Sequence, residues 1–187
     1  MNTLAPNGFA PARYTRTAIS LHWLIALGII GIFSLGLYMT SLSLSPTKLK
    51  LYSWHKWAGI TVFVLALARL AWRLGHRPPE LPAGMPALMR LAANGAHVVL
   101  YILMFAVPLS GWLMSSAKGF QTVWFGVLPL PDLVSKNAEL GDLLATTHAW
   151  LNWLLAATVI GHACAALKHH FIDRDDVLTR MLPGAKA

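Results

Sequence analysis

The stretch T-H-A-W-L-N-W-L-L-A-A-T-V-I-G-H (147–162) decides how this chain is read. It is apolar and carries a histidine at each end, His148 and His162. The 14-residue gap is close to four helical turns at about 3.6 residues each, so both rings share one face. At ~1.5 Å rise per residue they stand roughly 21 Å apart along that face. Two imidazoles at two depths of one bundle interior point to two stacked cofactors. Two further histidines, His22 and His55, also lie inside apolar stretches.

The rest of the composition agrees with a membrane setting. The 187 residues have a mean hydropathy of +0.56, and 12% are charged. Soluble domains carry about twice that charged fraction. Eight tryptophans fit aromatic belts at two interfaces. The net charge of +8 is spread along the flanks of apolar runs rather than clustered, and no recognition motif accompanies it, so nucleic acid is not an expected partner. The partner implied is membrane lipid. The single cysteine, Cys164, cannot form an internal disulfide, and without a C-x-x-C-H motif covalent c-type haem is excluded.

The expected fold is all-α, an integral membrane four-helix bundle in one domain. Its spans fall at about 18–40, 52–74, 91–116 and 145–168, each near the roughly 20 residues that cross the hydrocarbon core. Arg13 and Arg16 precede an apolar run too long for a signal-peptide core, so this run reads as the first span. Arg13, Arg16, Arg69, Arg73, Arg77, Arg90, Lys168, Arg174, Arg180 and Lys186 fall on one side of the membrane. Lys48, Lys50, Lys56, Lys118 and Lys136 fall on the other. This bias predicts that both termini are cytoplasmic. The segment Phe120 to Val134 is apolar but broken by Gly126, Pro129 and Pro131, so it is expected as an interfacial loop or a cover over the outer bundle end.

With odd spans running outward and even spans inward, the histidines sort by depth. His55 and His148 pair in the outer half, and His22 and His162 in the inner half. An imidazole in hydrocarbon without a partner is costly, and ionisable groups inside spans are functional by default. Bis-imidazole haem ligation needs one histidine from each of two facing helices. Zinc is the rival, but it wants three or four protein ligands at one depth, and neither level supplies Cys, Asp or Glu. His97, about six residues into the third span, has a depth that would let it replace His22 or His162. Gly28, Gly31, Gly36 and Gly59 allow either a wide ring or close helix packing.

At these residues the chain resembles the bacterial cytochrome b561 family of di-haem, four-helix inner-membrane proteins. The resemblance runs from about Tyr14 to Pro183. It is carried by Y-T-R-T-A-I-S-L-H-W-L (14–24), W-H-K-W-A-G-I (54–60), R-L-A-W-R-L (69–74), A-H-V-V-L-Y-I-L-M-F-A-V-P-L-S-G (96–111), T-H-A-W-L-N (147–152) and G-H-A-C-A-A-L-K-H-H-F (161–171). It implies two b-type haems on His22, His55, His148 and His162, with His97 not a ligand. Stand-alone relatives of this kind are similar to superoxide oxidases, which take electrons from superoxide on the periplasmic side and reduce ubiquinone. Other similar four-helix cytochromes serve as membrane subunits of dehydrogenases and hydrogenases, so a redox partner protein is the alternative expectation.

Under this resemblance, Lys48, Lys50 and Lys56 beside His55 would form a basic mouth that steers an anion. Ser20 and His169 fall at positions near the family's quinone. Arg69 and Arg73, four apart on one helical face, would meet either inner haem propionates or lipid phosphates.

Overall fold

The structure, a computed structural model, describes residues 13–184. Four helices long and apolar enough to cross a membrane make up most of it. They are α1 (Arg16–Ser41), α2 (Pro46–Gly75), α3 (Ala87–Ala117) and α4 (Ala138–Lys168). The first and last described residues share one end of the bundle, here the terminal end. The opposite end carries a short antiparallel hairpin of β1 (Val123–Trp124) and β2 (Leu128–Pro129), and is the hairpin end. Lys186, counted above among the terminal-side cations, lies outside the described residues.

All four helices start earlier than hydropathy alone predicts, α2 and α4 by the most. α2 begins at Pro46 and α4 at Ala138, six and seven residues before the apolar spans. Capping explains both. Ser45 accepts a hydrogen bond from the Lys48 amide and is followed by Pro46 in the first turn. Asn137 accepts from the Leu140 amide, with Glu139 in the first turn. Hydropathy marks where a helix meets lipid, whereas caps mark where it begins.

Backbones pack most closely between α3 and α4, between α1 and α2, and between α2 and α3. α1 reaches α4 through large side chains, with Phe33 and Trp153 edge-to-face at 5.3 Å. Two small apolar clusters sit at mid-depth. One joins Ile25, Val62, Ala66 and Met104, and the other joins Leu103, Val107 and Leu155. Leu155 is seven residues, about two turns, from both His148 and His162, so it shares their face of α4. Gly28 serves helix packing, since a Cβ there would meet Val62 Cγ2 at 2.8 Å. Gly31 and Gly59 face open space, with nothing within 4 Å of an added Cβ.

The segment after α3 neither spans nor floats. Trp57 Nε1 donates to the Val123 carbonyl at 2.6 Å, and Trp124 Nε1 donates to Thr61 Oγ1 at 3.3 Å. The hairpin is therefore strapped along α2. Its turn uses left-handed backbone at Phe125 (φ 51°) and Gly126 (φ 73°), of which only the glycine bears it without strain. Among the described residues this hairpin is the only β structure.

At the terminal end α4 runs into a π-helical turn, His169–Asp173, and the chain doubles back. Trp23 Nε1 donates to the Met181 carbonyl at 2.8 Å, and Arg13 donates to the carbonyls of Thr179 and Leu182. The C-terminal segment thus folds onto the start of α1, one residue from His22.

Candidate site: two histidine pairs in a helical bundle

The helices bring the four histidines together in two pairs. His55 of α2 faces His148 of α4 with ring centres 6.3 Å apart and planes at 85°. His22 of α1 faces His162 of α4 with ring centres 6.2 Å apart and planes at 66°. Metal–imidazole bonds are roughly 2.0–2.1 Å and a ring nitrogen lies about 1.1 Å from its ring centre, so two axial rings on one metal stand about 6.3 Å apart. Both axial rings contain the metal–nitrogen axis, so any twist between their planes is permitted.

His97 does not meet that condition. Its ring centre is 5.3 Å from that of His162, about 1 Å too close for the two rings to sit in line on one metal. The ring instead makes an edge-to-face contact with His162 at 70°. Depth does not separate His22 from His97, but of the two only His22 stands at a ring separation from His162 that suits a shared metal.

The pair at the hairpin end, His55 and His148, has a built surround. His148 Nδ1 lies 3.1 Å from the Val107 carbonyl and 3.0 Å from Ser110 Oγ, while Ser110 itself donates to Val107 O at 2.7 Å. A carbonyl can only accept, so Nδ1 carries the proton and Nε2 keeps its lone pair. A metal-binding histidine is held in this way, with its second nitrogen donating to a backbone carbonyl. A Cβ on Gly111 would meet His148 Cε1 at 3.0 Å, and one on Gly36 would meet His55 Cε1 at 3.3 Å. These two glycines are seats for the rings. His55 Nδ1 is buried without a hydrogen-bond partner. An orphaned ring nitrogen and rings seated on glycines fit ligation of a flat cofactor held between the helices.

The sequence reading missed Ser110, Val107 and Gly111. Gly111 ends the quoted stretch 96–111, but nothing local shows that it opposes a histidine 37 residues later. Trp23, edge-on to His22 at 5.3 Å, was equally unmarked.

The lysines at the hairpin end take separate tasks. Lys56, next to His55, donates to Ser115 Oγ at 3.1 Å and to the Phe120 and Gln121 carbonyls at 3.3 Å each. It ties the hairpin base to α2 and α3. Lys48 donates to the Leu42 carbonyl in the α1–α2 turn. Lys50 lies over the Trp54 ring at 5.2 Å. Lys118 pairs with Asp142 at 3.1 Å.

At the terminal end, Ser20 is exposed on α1, about 200° around the helix from His22. His169 is mostly buried. Its Nδ1 donates to Asp175 Oδ2 at 2.6 Å, and Asp175 Oδ1 accepts from the Val177 amide at 3.0 Å. Arg69 donates to the Ala18 carbonyl at 3.1 Å.

A four-helix membrane bundle with two facing histidine pairs is the architecture of a membrane b-type cytochrome. The chain belongs to the prokaryotic cytochrome b561 family, whose model matches residues 13–184, and that family implies binding of haem b. It is 38% identical over 174 residues to cytochrome b561 homolog 2 of Escherichia coli K12, covering 92% of each chain. It is 35% identical to cytochrome b561 homolog 1 of the same organism, covering 93% of this chain and 99% of that one. It is 31% identical to the probable superoxide oxidase CybB of Yersinia pestis, covering 91% and 96%. The chain is accordingly a bacterial membrane haem protein of the oxidoreductase and electron-transport class.

Proposed function

We propose that this chain is a di-haem b cytochrome of the inner membrane that oxidises superoxide and reduces ubiquinone. His55 and His148 would hold one haem, and His22 and His162 the other. The observation that carries this reading is the pair of ring separations, 6.3 and 6.2 Å, at two levels of the bundle. When bound, the two haems would supply one-electron redox chemistry at both levels. The relative named as a probable superoxide oxidase supports the choice of donor.

The overall reaction balances. Two superoxide anions lose one electron each and leave as dioxygen. Ubiquinone takes both electrons and two protons to become ubiquinol. The Lys/Arg bias puts the hairpin end in the periplasm, where superoxide would arrive, and the terminal end in the cytoplasm, the source of protons. Lys48, Lys50 and Lys56 give the hairpin end a positive field that raises the local concentration of an anion. Of the three, Lys56 is bound to the hairpin base, so its charge is fixed in place beside His55.

At the terminal end, Asp175 accepts from His169 Nδ1, so Nε2 of the neutral ring keeps its lone pair and would accept from the hydroxyl of the quinol; only the doubly protonated ring would donate from Nε2 to a quinone carbonyl. Ser20, on the lipid-facing side of α1, would contact a quinone arriving from the bilayer.

The test uses the purified, haem-loaded protein with no partner. Superoxide should reduce its haems and then drive net ubiquinol formation, with a rate that falls as ionic strength rises. Haem that stays oxidised under a superoxide flux, or reduction only after a copurifying dehydrogenase is added, would overturn the reading in favour of an electron-transfer subunit.

A further inference from the structure

A small cavity of about 30 Å³ opens at the terminal end between α1, α2 and α3. Its polar lining is cationic or hydroxylic: Arg69, Arg73 and Arg77 with His76, Tyr14 and Tyr101. No acidic side chain lines it, and among the described residues neither Arg73 nor Arg77 forms an ion pair. The Tyr101 hydroxyl is buried without a hydrogen-bond partner. Clustered guanidinium groups repel one another, and a buried hydroxyl without a partner costs free energy. One anion would relieve both.

The walls are pinned in advance. Trp72 Nε1 donates to Thr15 Oγ1 at 2.8 Å, and His76 stacks on Trp72 with ring centres 3.9 Å apart. His76 Nδ1 also bonds the Trp72 carbonyl at 3.0 Å. Arg73 lies over the Tyr101 ring at 6.0 Å, so its guanidinium and the free hydroxyl belong to one wall. Arg69, the deepest cation, is spent on the Ala18 carbonyl.

We propose that Arg73, Arg77 and Tyr101 bind the phosphate of an anionic phospholipid headgroup from the cytoplasmic leaflet. Depth favours a lipid. His76, Arg77 and Pro78 lie just beyond the end of α2 at Gly75, which is headgroup depth. Basic pockets between spans on the cytoplasmic side recognise phosphate headgroups, and planar guanidinium forks match phosphate geometry.

The experiment is native mass spectrometry of the full-length, haem-loaded protein with added cardiolipin, phosphatidylglycerol or phosphatidylcholine. Wild type should retain the anionic lipids in preference to phosphatidylcholine. R73Q/R77Q should lower that retention at least tenfold, and Y101F several-fold. K48Q/K50Q, at the other end, should leave it unchanged. If R73Q/R77Q does not fold, R77Q alone and Y101F carry the comparison. Equal retention in wild type and R73Q/R77Q (or R77Q alone), or in wild type and Y101F, would overturn the proposal. So would R73Q/R77Q that keeps its lipid but shifts a haem midpoint potential, a result that assigns the pocket to a propionate.

Discussion

Gly111→Ala is expected to loosen one haem and spare the other. The added Cβ would lie 3.0 Å from His148 Cε1, 3.3 Å from Nδ1 and 3.6 Å from Nε2. Carbon–carbon contacts are ordinarily about 3.5–4.0 Å, so the ring must retreat by about 0.5 Å. It has little freedom to do so, because Nδ1 is already bonded to Val107 O and set against Ser110. Overpacking of this kind costs about 1–3 kcal/mol. At 1.4 kcal/mol per tenfold, that is roughly 5- to 150-fold weaker retention of the haem that His148 is proposed to hold. The assay is haem per polypeptide after detergent washing, read with the low-spin electron paramagnetic resonance signals. Gly36→Ala, whose Cβ would stand 3.3 Å from His55 Cε1, should show a smaller effect on the same haem. Gly31→Ala, with nothing within 4 Å, should show none. If Gly111→Ala keeps two haems with unchanged signals, or if all three variants behave alike, the seat assigned to His148 is wrong.

Other outcomes test separate parts of the structure. His97→Ala should keep both haems while His22→Ala loses one, as counted by pyridine haemochrome; the reverse would put His97 on the metal despite its 5.3 Å ring separation from His162. Gly28→Ala, with its Cβ 2.8 Å from Val62 Cγ2, should separate α1 from α2 and lower thermal stability by about 1–3 kcal/mol without singling out one haem. Trp57→Phe removes the 2.6 Å bond to Val123 O and should speed protease cleavage at the hairpin tip, with an unchanged haem spectrum as the control. Asp175→Asn leaves a neutral acceptor beside His169; if His169 serves the quinone, ubiquinol formation should slow while haem reduction by superoxide does not.

The four spans were legible in the chain because length and apolarity are local properties. So was the sorting of His22, His55, His148 and His162 into two levels, since a fixed rise per residue turns sequence position into depth. The His148–Leu155–His162 stripe likewise follows from helical period. The glycines were legible only as a class. Gly28 packs against Val62 and Gly36 seats His55, yet nothing in their flanks tells them apart.

What tertiary structure alone decided concerns rotation and approach between helices. His22 and His97 sit at similar depth, but α1 holds its ring at 6.2 Å from His162 and α3 at 5.3 Å. Val107, Ser110 and Gly111 reach His148 only because α3 packs along α4 with that face turned inward. Asp175 meets His169 because a π-helical turn reverses the chain. The sequence by itself determined how deep each histidine lies, since depth depends on one helix. Which rings face one another, and at what separation, depends on the relative rotation of two helices, which no single stretch encodes.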